Sequence, residues 1–470
     1  MAWTDLPIDQ PLFRNVDEIA AAPFQSGIEN AFQTDTKGIS RFPGLMEFAD
    51  LPDRSKVYLH DWNGDLIAAT GRGNVFRLGR SGNVEKIEGV PVSGGKRVIF
   101  AKSDRELMMA AGGPIVRLRD KRTEILSPDA PRATHVAWLD GITIANEANS
   151  GRFYHSRANE PHIWNPLDMF AADGNPDNIN SMIVTPFREL MIGGPESIEQ
   201  YERANTGDSP FFRRWSVGDG VSQPYAMLFA DNAVWTINNL SEVVRFSGQM
   251  SSAESRMIGR MIERLDDMSD AWMGGYPDKP MHIEGQKFIL LQFPNATNSY
   301  GTKGVTLVAD YANQRWFELF AWDDANGIST RWPGWSHWTI WGDIYVGGEG
   351  KVYKLSRDRF THAGQTQRFV FRTAHIVNGG IAEVMGLRLL MKRGVGGVDT
   401  EPTISVRCSR DGGPFGSRIT RGMGKHGQTI PAIEFGNFGQ GNSFQFEILV
   451  TADCPVEIMR AQINADLLEW

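Results

Sequence analysis

Hydrophobic and polar residues alternate in short runs that recur along most of the chain. In residues 56–78, KVYLHDWNGDLIAATGRGNVFRL, two apolar runs flank an Asn-Gly turn and a third, more polar run follows. Alternation over five or six positions, broken by a short polar turn, is typical of a half-buried β-hairpin. Six more segments repeat this pattern: 97–118, 135–156, 181–202, 225–247, 281–294 with 304–319, and 337–355.

These repeats predict an all-β chain that forms a β-propeller of six or seven blades. One pair of hairpins cannot bury its apolar face alone, so similar sheets must stack around a centre. Small residues also recur where the second strand of a unit ends, which suits the crowded inner part of a blade. They are Ala68-Ala69, Ala110-Ala111, Gly193-Gly194 and Gly347-Gly348. A long array of β-sandwiches is the competing architecture.

One segment within the repeats has a helical period instead. Met257, Met261 and Leu265 are four residues apart in SAESRMIGRMIERLDDMSDAWM, which begins at residue 252. This spacing predicts one inserted helix near residues 254–272, packed over a blade.

The two ends of the chain differ from the repeats. Residues 1–40 are weakly apolar without a regular period, which predicts an N-terminal arm, and the propeller is then expected over residues 41–365. Residues 366–470 predict a separate C-terminal β-sandwich domain of two packed antiparallel sheets. Its expected strands are 385–394, 403–413, 444–451 and 456–467.

Composition narrows the function classes. With 470 residues, 41% of them hydrophobic, and a net charge of −8, the chain resembles an ordinary globular protein, and the acidic balance argues against a surface that coats nucleic acid. The first residues lack a signal-peptide pattern, and no apolar run is long enough for membrane insertion. Cys408 and Cys454 are the only cysteines, and two reduced, packed thiols are favoured over a disulfide.

Each candidate motif for catalysis, cofactor binding or metal binding departs from the pattern that the function requires. GRGNVF at 71–76 lacks the third glycine of a dinucleotide loop, and DGNPDNIN at 173–180 departs from a calcium loop. Acidic residues recur at the turns after the first strand of several units, namely Asp61, Asp104, Asp140 and Asp231. Turn chemistry explains this recurrence better than an acid–base pair does. We therefore predict no enzyme and assign no catalytic, cofactor-binding or metal-binding residue.

Four tryptophans cluster in RWPGWSHWTIW, which begins at Arg331. Their period of three is interrupted by a Pro-Gly pair, so they cannot form one flat row on a strand. Trp338 and Trp341 are expected to enter a strand as part of the framework. Trp332 and Trp335 lie in the preceding loop, and they are candidate exposed residues at a subunit contact.

Several segments, in this order, resemble one protein family. RFPGL at 41–45 is followed by GPESIEQYERANTGDSPFFRR at 194–214, which includes Gly207, Asp208, Pro210, Phe211 and Arg213. The expected helix, FILLQFP and LVADYANQRWFEL then precede IYVGGEGKVYKLSRDRFTHAG and the CSRDGG turn. Together they resemble the tail accessory factors of short-tailed phages, also called packaged-DNA stabilisation proteins.

The resemblance implies a structural protein of the virion tail, assembled in the cytoplasm of the bacterial host. Such a protein forms a homo-oligomeric ring, usually hexameric, below the portal-adaptor ring. This hub or nozzle continues the DNA channel, helps to close it after packaging, and supports distal needle, fibre or spike proteins. Viral double-stranded DNA passes through transiently, and neither a cofactor nor a catalytic residue is implied.

Two other functions remain open from the residues alone. The tryptophan cluster supports a propeller that binds carbohydrate or degrades polysaccharide, for example a receptor-binding tail component. A propeller that serves as a general platform for protein binding is the second alternative.

Overall fold

Short antiparallel strands account for almost all regular structure in the computed structural model. It describes residues 3–8, 27–34, 38–172, 177–204, 210–255, 258–274, 280–396, 400–429 and 432–467. Five strands precede the first complete blade: β1 (Thr4–Leu6), β2 (Ile28–Glu29), β3 (Ala31–Gln33), β4 (Ile39–Arg41) and β5 (Gly44–Asp50).

The first three blades have four strands each. Blade 1 contains β6 (Val57–Trp62), β7 (Asp65–Thr70), β8 (Val75–Leu78) and β9 (Val84–Gly89). Blade 2 contains β10 (Ile99–Lys102), β11 (Leu107–Ala110), β12 (Val116–Arg119) and β13 (Arg122–Ile125). Blade 3 contains β14 (Val136–Leu139), β15 (Ile142–Asn146), β16 (Arg152–Arg157) and β17 (Glu160–Ala171).

Blades 4 and 5 repeat this arrangement, and blade 6 is longer. Blade 4 contains β18 (Ser181–Val184), β19 (Glu189–Gly193), β20 (Ile198–Arg203) and β21 (Phe211–Val217). Blade 5 contains β22 (Met227–Ala230), β23 (Ala233–Ile237), β24 (Val243–Ser247) and β25 (Met250–Ala253), and α1 (Gly259–Glu263) follows. Blade 6 contains β26 (Trp272–Met273), β27 (Met281–Ile283), β28 (Gln286–Thr297), β29 (Lys303–Asp310) and β30 (Arg315–Glu318).

Blade 7 closes the ring with a strand from the other end of the propeller. The hairpin β31 (Phe320–Asp323) and β32 (Ile328–Arg331) precedes β33 (Ser336–Ile340), β34 (Asp343–Gly347) and β35 (Lys351–Ser356). The fourth strand of blade 7 is β5, which pairs antiparallel with β35. Since β33 also packs on β6 of blade 1, the described residues form seven blades, the upper of the two predicted numbers.

Tight turns within the blades explain the Asn-Gly and Asp-Gly pairs of the sequence. Asn63 and Gly64 join β6 to β7 with φ of 48° and 83°, and Asp140 and Gly141 join β14 to β15 in the same way. Positive φ at both central residues is the type I′ geometry, whose twist matches that of the flanking strands.

The predicted helix is present but much shorter than residues 254–272. In the described residues of that segment, only Gly259–Glu263 are α-helical, and Met261 faces the core as expected. The residues that follow turn because acidic side chains bind backbone groups: Asp267 accepts the N–H of Ser269 at 2.8 Å. Such local bonds compete with helix formation.

The C-terminal strands belong to one hydrogen-bonded sheet, organised around one long strand. They are β38 (Phe369–Arg372), β39 (Ile376–Met391), β40 (Thr403–Arg410), β41 (Ile419–Gly422), β42 (Ala432–Val450) and β43 (Glu457–Leu467), preceded by the hairpin β36 (Thr361–His362) and β37 (Gln365–Thr366). The first half of β42 pairs with β39, whereas its second half pairs with β38 and β40. Strand β42 therefore links β39 to the strands β38 and β40.

The described N-terminal residues are not the irregular arm that their composition suggested. Strand β2 lies between β30 of blade 6 and β38, so one continuous sheet runs from the propeller into the C-terminal strands. Strands β1 and β4 pair with β43, and β3 pairs with β4. Residues 9–26 and 35–37 lie outside the described part. These strands are short and discontinuous, so their pairing partners, far away in sequence, decide their conformation.

Four phenylalanines fix the N-terminal strands against blade 6. Phe32 and Phe42 contact Phe288 and Phe317, with ring centroids 5.4–6.5 Å apart, two pairs edge-to-face and two tilted. All four are buried, which contributes about 1.5–3 kcal/mol per side chain. This cluster holds the propeller and the C-terminal strands in one core.

Candidate functional site

Side chains from opposite sides of the ring meet at the propeller axis. Arg97 precedes β10, and its guanidinium carbon lies 4.3 Å from the ring centroid of Trp272 and 5.0 Å from that of Tyr58. Its Nη1 donates a hydrogen bond to the carbonyl oxygen of Trp335 at 2.8 Å. Arg97 of blade 2 therefore contacts blades 1, 6 and 7 together.

A buried histidine makes the second set of contacts across the ring. His135 precedes β14, and its Nε2 lies 3.0 Å from the carbonyl oxygen of Pro224, ahead of blade 5. Because a carbonyl oxygen only accepts, Nε2 carries the proton. The imidazole stacks on Tyr225 with centroids 5.4 Å apart. Burial lowers the pKa of His135 to about 4, although the bond to Pro224 raises it, so the ring is neutral at neutral pH.

These residues close the axis. Tyr58, Arg97, His135, Tyr225 and Trp272, here called the axial cluster, are each no more than 8% exposed. A DNA duplex, whose major groove alone is about 12 Å wide, cannot pass through a centre filled in this way. Sequence reasoning missed the cluster. Four of its members stand just before or within the first strand of a predicted unit, whereas Trp272 falls at the end of the predicted helix.

A cavity of about 500 Å³ is bounded by part of the axial cluster. Its rim carries four charged side chains besides Arg72, and they come from different blades: Lys56, Lys96, Asp270 and Glu349. Lys56 lies 3.9 Å from Asp270, a loose ion pair between partly exposed groups. This cavity is called the axial cavity below.

A second, larger cleft of about 890 Å³ lies between blades 6, 7 and 1. Acidic and basic groups line it, including Asp61, His282, His337 and Lys354. Across the residues that the structure describes, no group of three or more His, Cys, Asp or Glu side chains is placed to hold a metal ion.

The two loop tryptophans are buried, contrary to the expected exposure. Trp332 is fully buried in the core shared with the C-terminal strands. Trp335 is 6% exposed, and its ring lies between Lys56 and Arg331, whose charged groups are 4.1 and 4.0 Å from the centroid. Its indole N–H donates to Glu349 at 3.2 Å. The contact partners are the protein's own residues, because the Pro-Gly bend folds the loop back onto the propeller.

The other two tryptophans are the less buried pair. Trp338 lies in β33 and packs on His60 with centroids 4.1 Å apart. Trp341 is not in the strand but in the following turn, with φ of 56°, and its indole N–H donates to the carbonyl of Gly64 at 2.9 Å. The dense tryptophan segment thus joins blade 7 to blade 1.

The recurring acidic residues bind cations on neighbouring strands. Asp61 accepts from Lys102 of blade 2 at 2.5 Å, and Asp140 accepts from Arg188 of blade 4 at 2.8 Å. Asp231 pairs with Arg245 within its own blade, whereas the side chain of Asp104 is 73% exposed. The contacts of Asp61 and Asp140 join neighbouring blades. Asp140 and Asp231 also have the positive φ of turn residues, 49° and 51°.

The RFPGL segment is a junction between the propeller and the C-terminal strands. Arg41 donates to the carbonyl oxygens of Cys454 at 3.0 Å and Phe360 at 3.2 Å, and to the side chain of Gln367 at 3.1 Å. Burial lowers the pKa of Arg41 to about 10, which leaves it charged at neutral pH. A β-carbon on Gly44 would lie 2.5 Å from two backbone oxygens, so only glycine fits there.

A buried ion network reinforces the same junction. Arg372 pairs with Glu29 at 2.8 Å and with Glu447 at 2.9 Å, and all three side chains are 1–5% exposed. Arg407 also binds Glu447 at 2.6 Å, and the hydroxyl of Tyr300 donates to Glu29 at 2.7 Å. Burial alone would raise the pKa of Glu447, but Arg407 and Arg372 lower it to about 2.

The GPESIEQYE segment also has a packing role. Glu199 is buried, and it accepts from Tyr201 at 2.6 Å and pairs with Arg213 at 3.4 Å. Gly207 and Asp208 lie outside the described residues, as do residues 173–176 of the segment compared with a calcium loop. Cys408 and Cys454 are free thiols, and burial raises the pKa of each to about 11.

Comparison with protein families decides the identity of this closed propeller. A family model described as Bacteriophage P22 Gp10, beta-propeller (Phage_stabilise) matches residues 21–359, well over half of the chain. The chain belongs to this family. It is a structural protein of a phage virion that serves in packaged-DNA stabilisation, as the resemblance of the sequence segments implied.

Solved structures with similar folds are distant in sequence. The extracellular domain of BT4673 from B. thetaiotaomicron is 13% identical with a TM-score of 0.46, over 80% of this chain and 47% of that one. The chain thus spans about half the length of that structure. Virginiamycin B lyase from Staphylococcus aureus is 12% identical over 65% of this chain and 97% of the lyase, with a TM-score of 0.40.

BamB from Moraxella catarrhalis is 10% identical over 65% of this chain and 94% of BamB, with a TM-score of 0.37. Comparison with curated proteins found no match. In the described part of this chain, every helix is too short or too polar to cross a bilayer.

Proposed function

We propose that several copies of this Phage_stabilise protein form a ring, the hub or nozzle of a short tail, below the portal-adaptor ring. The ring continues the DNA channel, helps to close it after packaging, and supports distal needle, fibre or spike proteins. Six copies are the expected number, and the ring is assembled in the host cytoplasm.

The closed axis carries this proposal. A family that stabilises packaged DNA needs a path for DNA, and the axial cluster leaves none through the single propeller. The path must therefore run between copies, which requires a ring of propellers. The net charge of −8 supports the same arrangement, since an acidic wall does not hold the phosphate backbone of the moving duplex.

The N-terminal residues are also part of this proposal. The weakly apolar composition of residues 1–40 suggests that they contact a neighbouring copy or the adaptor ring. Strands β1 to β4 pair within their own chain, so deletion of residues 2–35 would remove part of the core and would not test that idea. The proposed domains otherwise remain a propeller over 41–365 and a C-terminal unit over 366–470.

The test is complementation of DNA-filled heads that lack this protein. Such heads should lose DNA to added nuclease, and the purified protein should restore protection and add a ring visible by electron microscopy. Heat-denatured protein is the control. Heads that keep their DNA equally well without the protein would contradict the role in closing the channel, and protection by single copies would contradict the ring.

A further inference from the structure

The outer strands of blades 3, 4 and 5 form open sheet edges. Each of these blades is a separate four-stranded sheet in the described part of the chain. The outer strands of the other blades pair with strands elsewhere in the same chain: β9 with β13, β30 with β2, and β5 with β36. An open edge leaves backbone donors and acceptors available, so blades 3 to 5 are the part of the outer surface on which a neighbouring molecule can dock.

Strand β17 of blade 3 contains a bulge. The register between β16 and β17 shifts between Tyr154 and Ser156, so residues 165–168 of β17 lie opposite one residue of β16. Extra residues on one strand bend it and re-aim its side chains. In this bulge Leu167 is 85% exposed, the highest fraction among the large apolar side chains of the described residues.

Side-chain hydrogen bonds fix the shape of this bulge. The side-chain oxygen of Asn165 accepts the N–H of Leu167 at 3.0 Å, and its amide nitrogen donates to Asp168 at 3.1 Å. A bulge that only protects an edge from aggregation would present a charged side chain there. A preformed bulge with an exposed leucine is instead suited to insertion into a pocket, since little conformational entropy is lost on binding.

A pocket with an apolar wall lies between blades 1 and 2, separate from the axial cavity. Its volume is about 310 Å³. The apolar wall consists of four buried side chains, Trp62, Ile67, Ile87 and Leu118, and charged groups surround it. An apolar pocket with a polar rim is the usual surrounding of an anchor residue at a protein interface.

The lining of this pocket and its ion-pair partners comprise nine charged groups. Seven of them form ion pairs at 2.6–3.6 Å, namely Arg77 with Asp65 and Glu85, Arg105 with Asp104, and Arg119 with Asp120. The other two, Lys86 and Lys121, form no ion pair with a described residue. The five basic and four acidic groups leave a net charge of +1, carried by these lysines at the rim.

The bulge offers the opposite charge. The acidic side chains of β17 are Glu160, which pairs with Arg157 at 3.1 Å, and Asp168. Asp168 forms no ion pair in the described part of the chain, and its carboxylate accepts from the Asn165 amide. A leucine with a free carboxylate beside it therefore complements an apolar pocket with two lysines at its rim.

We propose that Leu167 of one copy inserts into the pocket between blades 1 and 2 of a second copy, where Asp168 faces Lys86 and Lys121. The two surfaces are different parts of the chain, so the contact is heterologous, the type from which closed rings are built. This contact rests on the proposed ring, and it names the residues that hold two neighbours together.

The test is photo-crosslinking of the full-length protein, with p-benzoylphenylalanine at position 167, during complementation of heads that lack it. In a mixture of isotope-labelled and unlabelled protein, mass spectrometry should recover cross-links from position 167 to the pocket wall of a second copy. The same group at position 240 is the matched control, because Leu240 is 68% exposed but lies between β23 and β24 of blade 5. Cross-links from position 167 to an adaptor or distal tail protein, or none in assembled tails, would overturn the proposal.

Charge substitutions separate this contact from the ring itself. Leu167→Lys places a cation against the apolar wall and the rim lysines, so it should reduce ring assembly about tenfold or more, as expected for an interface anchor, without changing the melting temperature. Asp168→Lys should reduce assembly by a smaller factor, and Lys86→Asp with Lys121→Asp should restore part of it. Rings that form equally well with Leu167→Lys would refute this contact and leave the proposed ring intact, whereas wild type that forms no ring would refute both.

Discussion

Replacement of Arg372 by methionine should destabilise the junction between the propeller and the C-terminal strands. Arg372 is 5% exposed, and its partners Glu29 and Glu447 are 2% and 1% exposed. Removing one partner of a buried ion pair costs about 3–5 kcal/mol, because the remaining charge is left in a medium that solvates it poorly. Glu447 still forms its ion pair with Arg407 in this variant, so most of the lost stability should come from the uncompensated charge of Glu29.

Urea denaturation of the purified protein measures this loss as a fall in the unfolding midpoint. Arg157→Met is the matched control, because Arg157 forms an exposed ion pair with Glu160 at 3.1 Å and should cost less than about 1 kcal/mol. Glu29→Gln added to Arg372→Met should recover part of the loss, since it neutralises the uncompensated charge. Equal midpoints for Arg372→Met and Arg157→Met would refute the reasoning.

Three further predictions follow from the same contacts. The pKa of Glu447 is about 2 in the folded state and 4.5 in the unfolded chain. Ionised Glu447 therefore adds on the order of 3 kcal/mol to the free energy of unfolding, and this stabilisation is present above about pH 4.5 and is lost as pH falls toward 2. Glu447→Gln should flatten the dependence of urea midpoints on pH in that range, and an unchanged slope would contradict the assignment. Gly44→Ala should lower the melting temperature clearly, because the added β-carbon would clash with backbone oxygens. Gly218→Ala should not lower it, because its β-carbon would meet open space. Equal melting temperatures for the two variants would contradict the close backbone approach at Gly44. His135→Phe keeps an aromatic ring but leaves the Pro224 carbonyl without its donor, so the free energy of unfolding from urea titrations should fall by about 1–3 kcal/mol. An unchanged free energy of unfolding would contradict a stabilising role for this hydrogen bond.

Blades 1 to 6 could be predicted because each is a local unit, whereas blade 7 takes its fourth strand, β5, from the other end of the propeller. The hairpin turns, such as Asn63-Gly64, and the alternating apolar positions lie within about 25 residues of each other, so the pattern is visible without knowledge of distant contacts. The C-terminal strands were visible for the same reason. Helix α1 was overestimated, because the helical spacing of Met261 and Leu265 does not register the side-chain-to-backbone bonds that follow.

Contacts between distant segments could not be predicted in this way. Strand β2 has two residues, and only its pairing with β30 and β38 makes it part of a sheet. Closure of the ring brings Arg97 to Trp272 and His135 to Pro224, pairs that no local period marks. The burial of Trp332 and the partial exposure of Trp338 likewise depend on how blade 7 meets blade 1 and the C-terminal strands.

The position of DNA relative to the propellers tests the central claim most directly. Electron cryomicroscopy of the assembled tail, at a resolution that separates single blades, would locate both. The closed axial cluster predicts that the DNA path is surrounded by several copies of the chain and that density for Arg97 and Trp272 fills each propeller axis. A DNA path through the axis of one propeller would contradict the account.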